Sequence, residues 1–174
     1  SAHVEPARLH AVLAAFARMQ REVVLGQTLD VLDTADVDAV HDLKTGSYTV
    51  RGPLALGHAV AGGSAEAWSA LAAFAKPLGI AFQIRDDLIG TFGDEKETGK
   101  SSSNDLRQGK RTAPVRFALE RLAGDDRAAL EGLLGRDDDD SVTRARALVE
   151  KADTRAAMED RIATLRASAL AALQ

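Results

Sequence analysis

Apolar residues recur every three or four positions along most of this 174-residue chain. The pattern is clearest near the start, where one face of a long helix carries Leu9, Val12, Leu13, Phe16, Met19, Val23 and Val24. The 33 alanines strengthen it, because alanine is the best helix former, whereas an aromatic content of 4% does little to favour strands. No segment shows the apolar–polar alternation of a half-buried strand. The sequence therefore predicts an all-α fold.

Caps and helix breakers divide the first part of this pattern. Pro6 can occupy the first turn of a helix that we expect to run to about Leu32. Thr34 and Asp36 are the predicted caps of a second helix, which contains Val40 and Lys44. Proline lacks a backbone N–H, so we expect an interruption or kink near residue 53, and the glycine pair that follows ends the helix.

The second part of the chain holds one long helix and several short ones. Ser64 opens a long apolar helix, with a kink expected at Pro77. Residues 93–112 lose the apolar rhythm and are rich in Gly, Ser, Lys and Asp, which predicts a loop. Thr112 is the predicted cap of the next helix. Further short helices are expected after Gly124, after the acidic run 137–140 and after Thr154. The acidic run itself is expected to form a solvated turn between two helices.

Charge and cysteine content exclude several functions. Lys and Arg number 22 against 26 Asp and Glu, a net charge of −4 without the basic excess of a nucleic-acid surface. The absence of cysteine excludes a disulfide framework, a thiol nucleophile and a thiolate metal site. The sequence has no run of the roughly 18 apolar residues that a membrane-spanning helix needs, and its start lacks the order of a signal peptide. We expect no nucleic-acid partner, no transmembrane segment and a cytoplasmic location.

An acidic pair on the long apolar helix is the most informative segment. Gln83, Asp86, Asp87 and Gly90 lie at i, i+3, i+4 and i+7, and hence on one helix face. Adjacent carboxylates repel each other and resist burial unless a positive group lies opposite. Hard oxygen ligands of this kind suit Mg²⁺, which commonly bridges carboxylates and substrate phosphates. A helix end with solvated acids explains this segment equally well when it is taken alone.

The segment that follows is basic and rich in glycine. It contains Gly99-Lys100 and then Asp105-Leu106-Arg107-Gln108-Gly109-Lys110-Arg111-Thr112. Lysine binds phosphate as a point charge, and glycine lets backbone N–H groups come close to it. Acids, a metal and lysines together are what a diphosphate leaving group needs. An ordinary surface loop explains any one lysine, but it explains less well why an acid pair and a basic glycine loop are consecutive.

Two further groups of polar residues interrupt apolar helices. Lys44, in Lys44-Thr45-Gly46, could point along the apolar face into an internal site, although a lysine at a helix edge more often extends to solvent. Gln27 and Asp30 lie about one turn apart on the first helix, and an exposed pair is the simpler account of them.

Taken in order, these segments resemble the C-terminal half of the trans-isoprenyl diphosphate synthases, the polyprenyl synthetase family. The residues that carry the resemblance are Gly26-Gln27-x-x-Asp30, Lys44-Thr45-Gly46, Phe82-Gln83-x-x-Asp86-Asp87, Gly93-Asp94, Thr98-Gly99-Lys100, and Asp105-Leu106 with Gly109-Lys110-Arg111-Thr112. The resemblance implies an isoprenoid synthase-type helical bundle around a central cavity, built as a homodimer. It also implies a Mg²⁺-dependent reaction that joins an allylic prenyl diphosphate to isopentenyl diphosphate through an allylic carbocation.

The resemblance also implies roles for the acidic residues. Asp86 resembles a direct Mg²⁺ ligand of the second aspartate-rich motif, and Asp87 a residue that supports the metal's waters. Asp105 resembles the acid near the metal cluster, and Asp30 would lie near a metal.

The basic and neutral residues receive roles in the same way. Lys100 and Lys110 resemble lysines that contact diphosphate, and Lys44 a lysine that touches diphosphate beside the cation. Thr45 and Gln83 resemble dipoles that stabilise the cation. Gln27 would line the pocket.

Two departures from the family pattern bear on activity. The second motif normally reads Asp-Asp-x-x-Asp, but its last position here is Gly90, for which we expect Asp94 to compensate. The first aspartate-rich motif, its downstream arginine and the upstream basic Gly-Lys-Arg segment do not occur among these residues.

These departures, with a start that is not Met and lies within a helix, lead us to expect a piece of a longer enzyme. Residues 1–174 would form the C-terminal half of a single polyprenyl synthetase domain and be inactive alone. The alternative is a non-catalytic helical subunit or partner of a heteromeric prenyl diphosphate synthase.

Overall fold

The structure is a computed structural model that describes residues 5–32, 37–93 and 103–174, without the side chains of 37 and 38. These ranges contain helices and no strand, which confirms the predicted all-α class. In chain order they hold α1 (Pro6–Val31), α2 (Val37–His41), a π-helical segment (Asp42–Arg51), α3 (Gly52–Ala61), α4 (Ala65–Phe92), α5 (Asn104–Arg107), α6 (Ala113–Arg121), α7 (Gly124–Leu133), α8 (Asp139–Lys151) and α9 (Thr154–Ala171).

Most of the predicted helix ends agree with the structure. Pro6 lies in the first turn of α1, where its missing N–H would have no intrahelical partner. Ser64 precedes α4, and its Oγ accepts a hydrogen bond from the Ala67 backbone N–H at 3.2 Å. Gly62 ends α3 with a left-handed φ of 66°, a conformation that glycine adopts at little cost. The predicted caps Thr34 and Asp36 lie outside the described residues.

The chain is helical at both prolines where a kink was expected, Pro53 and Pro77. The helix is not interrupted at Pro53, because the π-helical segment passes into α3 at Gly52 and Pro53 lies in the first turn of α3. Since the first turn needs no intrahelical N–H partner, the proline fits there. Pro77 lies inside α4 without ending it.

The predicted loop 93–112 contains a short helix, α5, at Asn104–Arg107. Thr112 is the N-cap residue of α6, as predicted, but its side chain makes no capping hydrogen bond within the described residues. The Ala113 backbone N–H instead donates to Oδ2 of Asp87 at 3.2 Å. A carboxylate from another helix therefore satisfies the start of α6.

Backbone contacts divide the chain into two compact units. The first unit comprises Ser1–Gln83 and Ala163–Gln174. Within it, α1 packs against the π-helical segment and α3. Glycine allows this packing, since a Cβ atom on Gly26 would lie 2.2 Å from the backbone nitrogen of Lys44. Buried apolar side chains of this unit are Val40, Ala75, Ile80, Ala81 and Ala169.

The second unit is Ile84–Ile162, in which α8 packs against α5, α6 and α7. Its core residues are almost fully buried and comprise Ile84, Leu106, Val115, Leu130 and Val149. The predicted turn at residues 137–140 also has a structural role. Asp138 caps α8, because its carboxylate accepts the Ser141 N–H at 2.8 Å. Arg107 also pairs with Asp139 at 2.5 Å.

Helix α4 is long and apolar enough to cross a membrane by length and composition alone, and it is the one described helix of which this is true. Buried core helices of soluble proteins share that property. The expectation that the chain has no transmembrane segment remains a prediction.

Candidate functional site

Lys44 and Asp30, which the sequence placed on different helices, form an ion pair in the first unit. The Lys44 Nζ atom lies 2.5 Å from Oδ2 of Asp30, and the two side chains are 33% and 43% exposed. Lys44 is therefore not an isolated lysine at a helix edge. The pair leaves an ammonium group accessible to an anion and close to a carboxylate.

The glycine at the start of the Gly26-Gln27-x-x-Asp30 motif explains this pairing. The Cβ position of Gly26 would be 2.5 Å from the carbonyl carbon of Leu43 and 2.6 Å from the Cα of Lys44, so only glycine lets α1 approach this backbone. Asp30 follows one turn later on α1 and reaches the Lys44 side chain. Gln27 is exposed on the same helix.

Thr45 is buried in the π-helical segment and donates its hydroxyl proton to Oε1 of Gln83 in a short hydrogen bond. Two residues later, the backbone oxygen of Ser47 accepts the Gly52 N–H, the five-residue step of a π-helix. Such segments are rare and often lie at functional sites. The family resemblance implies the same role for Thr45 and Gln83, and the structure joins their side chains by this hydrogen bond.

A second close approach of glycines fixes the Thr45 segment against α4. A Cβ atom on Gly79 would lie 2.7 Å from the Cα of Gly46, and one on Gly46 would lie 3.5 Å from the Cα of Gly79. Backbone packing at this distance leaves no room for a side chain on Gly79.

Arg51 fixes the other end of the π-helical segment. Its guanidinium group donates to Oδ1 of Asp42 at 2.6 Å and to Oε2 of Glu22 at 2.9 Å. Burial works against the charge on Arg51, but the hydrogen bonds to Asp42 and Glu22 outweigh it and raise the pKa of Arg51. The trio ties the segment that carries Lys44 and Thr45 to α1.

In the second unit, the adjacent aspartates of α4 have different surroundings. Asp86 is exposed, whereas Asp87 is buried and accepts the Ala113 N–H. The carboxylate of Asp87 therefore has a structural partner inside the unit, whereas the Asp86 side chain lies at the surface.

Asp105 and Lys110 lie together on and just after α5. Lys110 Nζ lies 2.9 Å from Oδ1 of Asp105, with the Asp105 side chain 15% exposed and that of Lys110 52% exposed. The other carboxylate oxygen of Asp105 faces Gly90 of α4, where a Cβ atom would lie only 2.0 Å from it. Asp105 thus occupies space that a side chain at position 90 would need.

Two of the sequence predictions cannot be placed. Lys100 and Asp94 lie outside the described residues. Among the residues that the structure describes, no group of three or more His, Asp or Glu side chains is arranged to hold a metal ion. Magnesium ions at phosphate sites are held by one or two carboxylates together with substrate oxygens, and Asp86 and Asp105 each offer a carboxylate of that chemistry.

Sequence reasoning missed Arg51 and Gly79, which both position the predicted site. Gly79 carried a usable signal, because a glycine inside an apolar helix often marks a close backbone approach. Arg51 carried no such signal in the sequence, because its partners Asp42 and Glu22 lie 9 and 29 residues away along the chain.

Comparison with known proteins agrees with this arrangement of motifs on helices. The sequence pattern of the family described as polyprenyl synthetase matches residues 2–152. A geranylfarnesyl diphosphate synthase of Aeropyrum pernix is 36% identical over 125 residues, which cover 68% of this chain and 39% of that protein. A short chain isoprenyl diphosphate synthase of Methanocaldococcus jannaschii is 33% identical over 135 residues, covering 74% of this chain and 41% of the relative.

Solved structures show the same similarity in three dimensions. A geranylgeranyl pyrophosphate synthase from Corynebacterium glutamicum, complexed with isoprenyl diphosphate and magnesium, matches 98% of this chain with a TM-score of 0.92 and 34% identity. A geranylgeranyl pyrophosphate synthetase from Pyrococcus horikoshii matches with a TM-score of 0.85 and 26% identity. The fold is thus that of the all-α isoprenyl diphosphate synthases.

The chain belongs to the polyprenyl synthetase family. It spans about two fifths of the length of the curated relatives and about half of the length of the solved structures.

Proposed function

We propose that this chain is part of a Mg²⁺-dependent isoprenyl diphosphate synthase, which condenses an allylic prenyl diphosphate with isopentenyl diphosphate. The observation that carries the proposal is the Lys44–Asp30 pair. It brings together two motifs that are fourteen residues apart in the sequence and that both lie within the residues matched by the family pattern. The similarity to geranylgeranyl, geranylfarnesyl and farnesyl diphosphate synthases supports the same reaction class.

The proposed reaction breaks the bond between an allylic carbon and its diphosphate oxygen, so negative charge develops on the leaving group. Bound Mg²⁺ would neutralise part of that charge. In the second unit, Asp86 is the proposed ligand for the metal and Asp105 the acid beside it. Lys110, with Lys100, is proposed to bind the diphosphate directly as a point charge. Asp87 is proposed to support the metal's waters from its buried position.

In the first unit, the proposed task is to bind diphosphate and stabilise the allylic cation. Lys44 supplies an ammonium group whose position Asp30 fixes. The Thr45–Gln83 hydrogen bond orients two uncharged dipoles, which can stabilise a cation without reacting with it. Neutral groups suit this role, because a nearby carboxylate would capture a carbocation.

We further propose that residues 1–174 are the C-terminal half of one polyprenyl synthetase domain and do not catalyse condensation alone. The support for this is the coverage of about half of the solved structures. The complete enzyme is proposed to be a cytoplasmic homodimer, which light scattering after size-exclusion chromatography would test.

The test of the proposed function is incorporation of labelled isopentenyl diphosphate into prenyl products by the longer polypeptide that contains this chain. We expect incorporation with Mg²⁺ and an allylic diphosphate, and none with a chelator. Asp86→Ala should lower turnover by about two orders of magnitude or more. Asp125→Ala, an exposed aspartate in the first turn of α7, is the matched control and should keep wild-type turnover.

Full turnover in Asp86→Ala would overturn the metal role. A wild-type protein that incorporates no label would instead favour the non-catalytic helical subunit.

A further inference from the structure

Arg107 belongs to the basic segment of the sequence, but its side chain binds the acidic run 137–140. Nη1 of Arg107 lies 3.2 Å from Oδ1 of Asp137 and also donates to the Asp137 carbonyl oxygen. Nη2 of Arg107 lies 2.5 Å from Oδ1 of Asp139. The Arg107 side chain is 21% exposed, whereas those of Asp137 and Asp139 are 90% and 93% exposed. The acidic run therefore holds a guanidinium group of α5 at the start of α8.

The linker between α7 and α8 also contacts the end of α5 through its backbone. The Gly135 N–H donates to the carbonyl oxygen of Leu106 at 3.0 Å, and Leu106 is itself buried. A Cβ atom on Gly109 would lie 3.1 Å from the Cα of Gly135, so the two backbones are in close contact. The φ values of Gly109 and Gly135 are 66° and 81°, a region that favours glycine. Side chain and backbone together therefore fix the end of α5 on this linker.

The ion pair of Asp105 with Lys110 spans this attachment. Lys110 follows Gly109 directly, and its Nζ atom lies 2.9 Å from Oδ1 of Asp105. The Lys110 backbone N–H also donates to the Asp105 carbonyl oxygen at 3.0 Å. Because Arg107 lies between the two members of the pair in the sequence, the contacts that hold Arg107 restrict where both of them can lie.

We propose that Arg107 is a positioning residue, which places Lys110 for diphosphate binding by fixing α5 on the acidic run 137–140. The inference rests on the proposed function for the role of Lys110. Arg107 itself does not contact diphosphate and acts through Asp137 and Asp139. The acidic run, which lies outside the segments that carry the family resemblance, thereby supports the diphosphate site from the start of α8.

The test is calorimetric titration of the 174-residue chain with inorganic pyrophosphate in the presence of Mg²⁺, with the thermal unfolding midpoint measured for every variant. Arg107→Gln should raise the dissociation constant of pyrophosphate about tenfold, because residues that orient binding groups commonly have effects of this size. Arg136→Gln is the matched control. It removes an arginine of the same linker whose guanidinium group donates to the Gly132 carbonyl oxygen, and it should leave the dissociation constant unchanged.

Removing the partners of Arg107 distinguishes positioning from direct contact with diphosphate. The carboxylate variant, Asp137→Asn with Asp139→Asn, should weaken binding although it removes negative charge. Adding Arg107→Gln to it should cause little further loss, because residues in one ion-pair network act as a unit. Both aspartates are exposed, so this variant should fold even if Arg107→Gln does not. Asp140→Asn removes a charge of the same run that pairs with Arg144, and it should not weaken binding.

A core substitution separates positioning from a general loss of stability. Val149 is buried in α8, so Val149→Ala should lower the unfolding midpoint without changing the dissociation constant of the folded chain. Equal weakening of binding by Arg107→Gln and Val149→Ala would overturn the inference.

Tighter binding by the carboxylate variant would mean that Arg107 contacts diphosphate directly, and it would also overturn the inference, as would additive losses in the combined variant. A wild-type chain that does not bind pyrophosphate would overturn the proposed function and this inference with it. Wild-type binding that Arg107→Gln leaves unchanged would overturn this inference alone.

Discussion

Gly79 of α4 lies against Gly46 of the π-helical segment so closely that a Cβ atom on Gly79 would be 2.7 Å from the Cα of Gly46. The contact is between backbones, which cannot move aside as a flexible side chain can. Thr45 precedes Gly46, and its hydroxyl group reaches Gln83 one turn beyond Gly79. The glycine pair therefore sets the separation at which these two predicted site residues meet.

The contact between Gly79 and Gly46 should be sensitive to an added methyl group. Gly79→Ala should lower the free energy of unfolding by about 1–3 kcal/mol, because the added methyl group overpacks a backbone contact. Gly57→Ala is the matched helical control, as no described atom lies within 4 Å of its Cβ position. The control should raise stability by up to about 1 kcal/mol, since alanine is the better helix former. Urea denaturation measures both, and equal stability of the two variants would contradict the close packing.

The two adjacent aspartates of α4 should respond differently to substitution. Asp87→Ala should cost about 1–2 kcal/mol of unfolding free energy, because it removes the acceptor for the Ala113 N–H and leaves a buried donor unpaired. Asp86→Ala should change stability by less than about 0.5 kcal/mol, as expected for an exposed residue. Chemical denaturation distinguishes them, and a larger loss for Asp86→Ala than for Asp87→Ala would refute the assignment.

Arg51 should matter more to stability than an exposed arginine. Arg51→Gln removes the partner of two partly buried carboxylates and should cost about 2–4 kcal/mol. Arg127→Gln, which breaks an exposed pair with Glu131 at 3.3 Å, should cost less than about 1 kcal/mol. Calorimetric unfolding of both variants provides the comparison. A loss at Arg51 no larger than that at Arg127 would show that the Glu22–Arg51–Asp42 trio does not hold the segment.

The Asp138 carboxylate should account for part of the loss of folding stability at low pH. The hydrogen bond from the Ser141 backbone N–H lowers the pKa of the Asp138 carboxyl below its ordinary value of 3.8. A lowered folded-state pKa contributes stability above the unfolded-state pKa, and that contribution disappears as pH falls through the folded value. Asp138→Asn keeps a capping oxygen without the charge. Between pH 5 and pH 2.5, the thermal midpoint should therefore fall less in Asp138→Asn than in wild type, and parallel curves would contradict the prediction.

Helix ends could be predicted from the sequence, because they depend on neighbouring residues. Contacts between residues far apart in the sequence could not. The ends of α1 and α4 followed from a proline and a serine cap, which are local signals. The hydrogen bond between Thr45 and Gln83 did not follow from the sequence, because no local pattern connects residues 38 positions apart.

The remaining features depend on packing that residue types alone do not specify. The sequence did not indicate that Asp87 accepts a hydrogen bond from the start of a helix 26 residues later. Gly90 stands where the family motif has a carboxylate, and residue types alone did not show that the Asp105 side chain lies against it. The π-helical geometry of Asp42–Arg51 also had no sequence signal. Within the first unit this segment lies close to α1 at Gly26 and to α4 at Gly79.

We infer that this chain carries residues that bind diphosphate together with Mg²⁺. The most direct measurement is calorimetric titration of the 174-residue chain with inorganic pyrophosphate, with Mg²⁺ and with a chelator, in wild type and in Asp86→Ala. We expect wild type to bind pyrophosphate only with Mg²⁺, and Asp86→Ala to bind it about tenfold or more weakly with an unchanged unfolding midpoint. Binding that is equally strong in the chelator, or in Asp86→Ala, would contradict it.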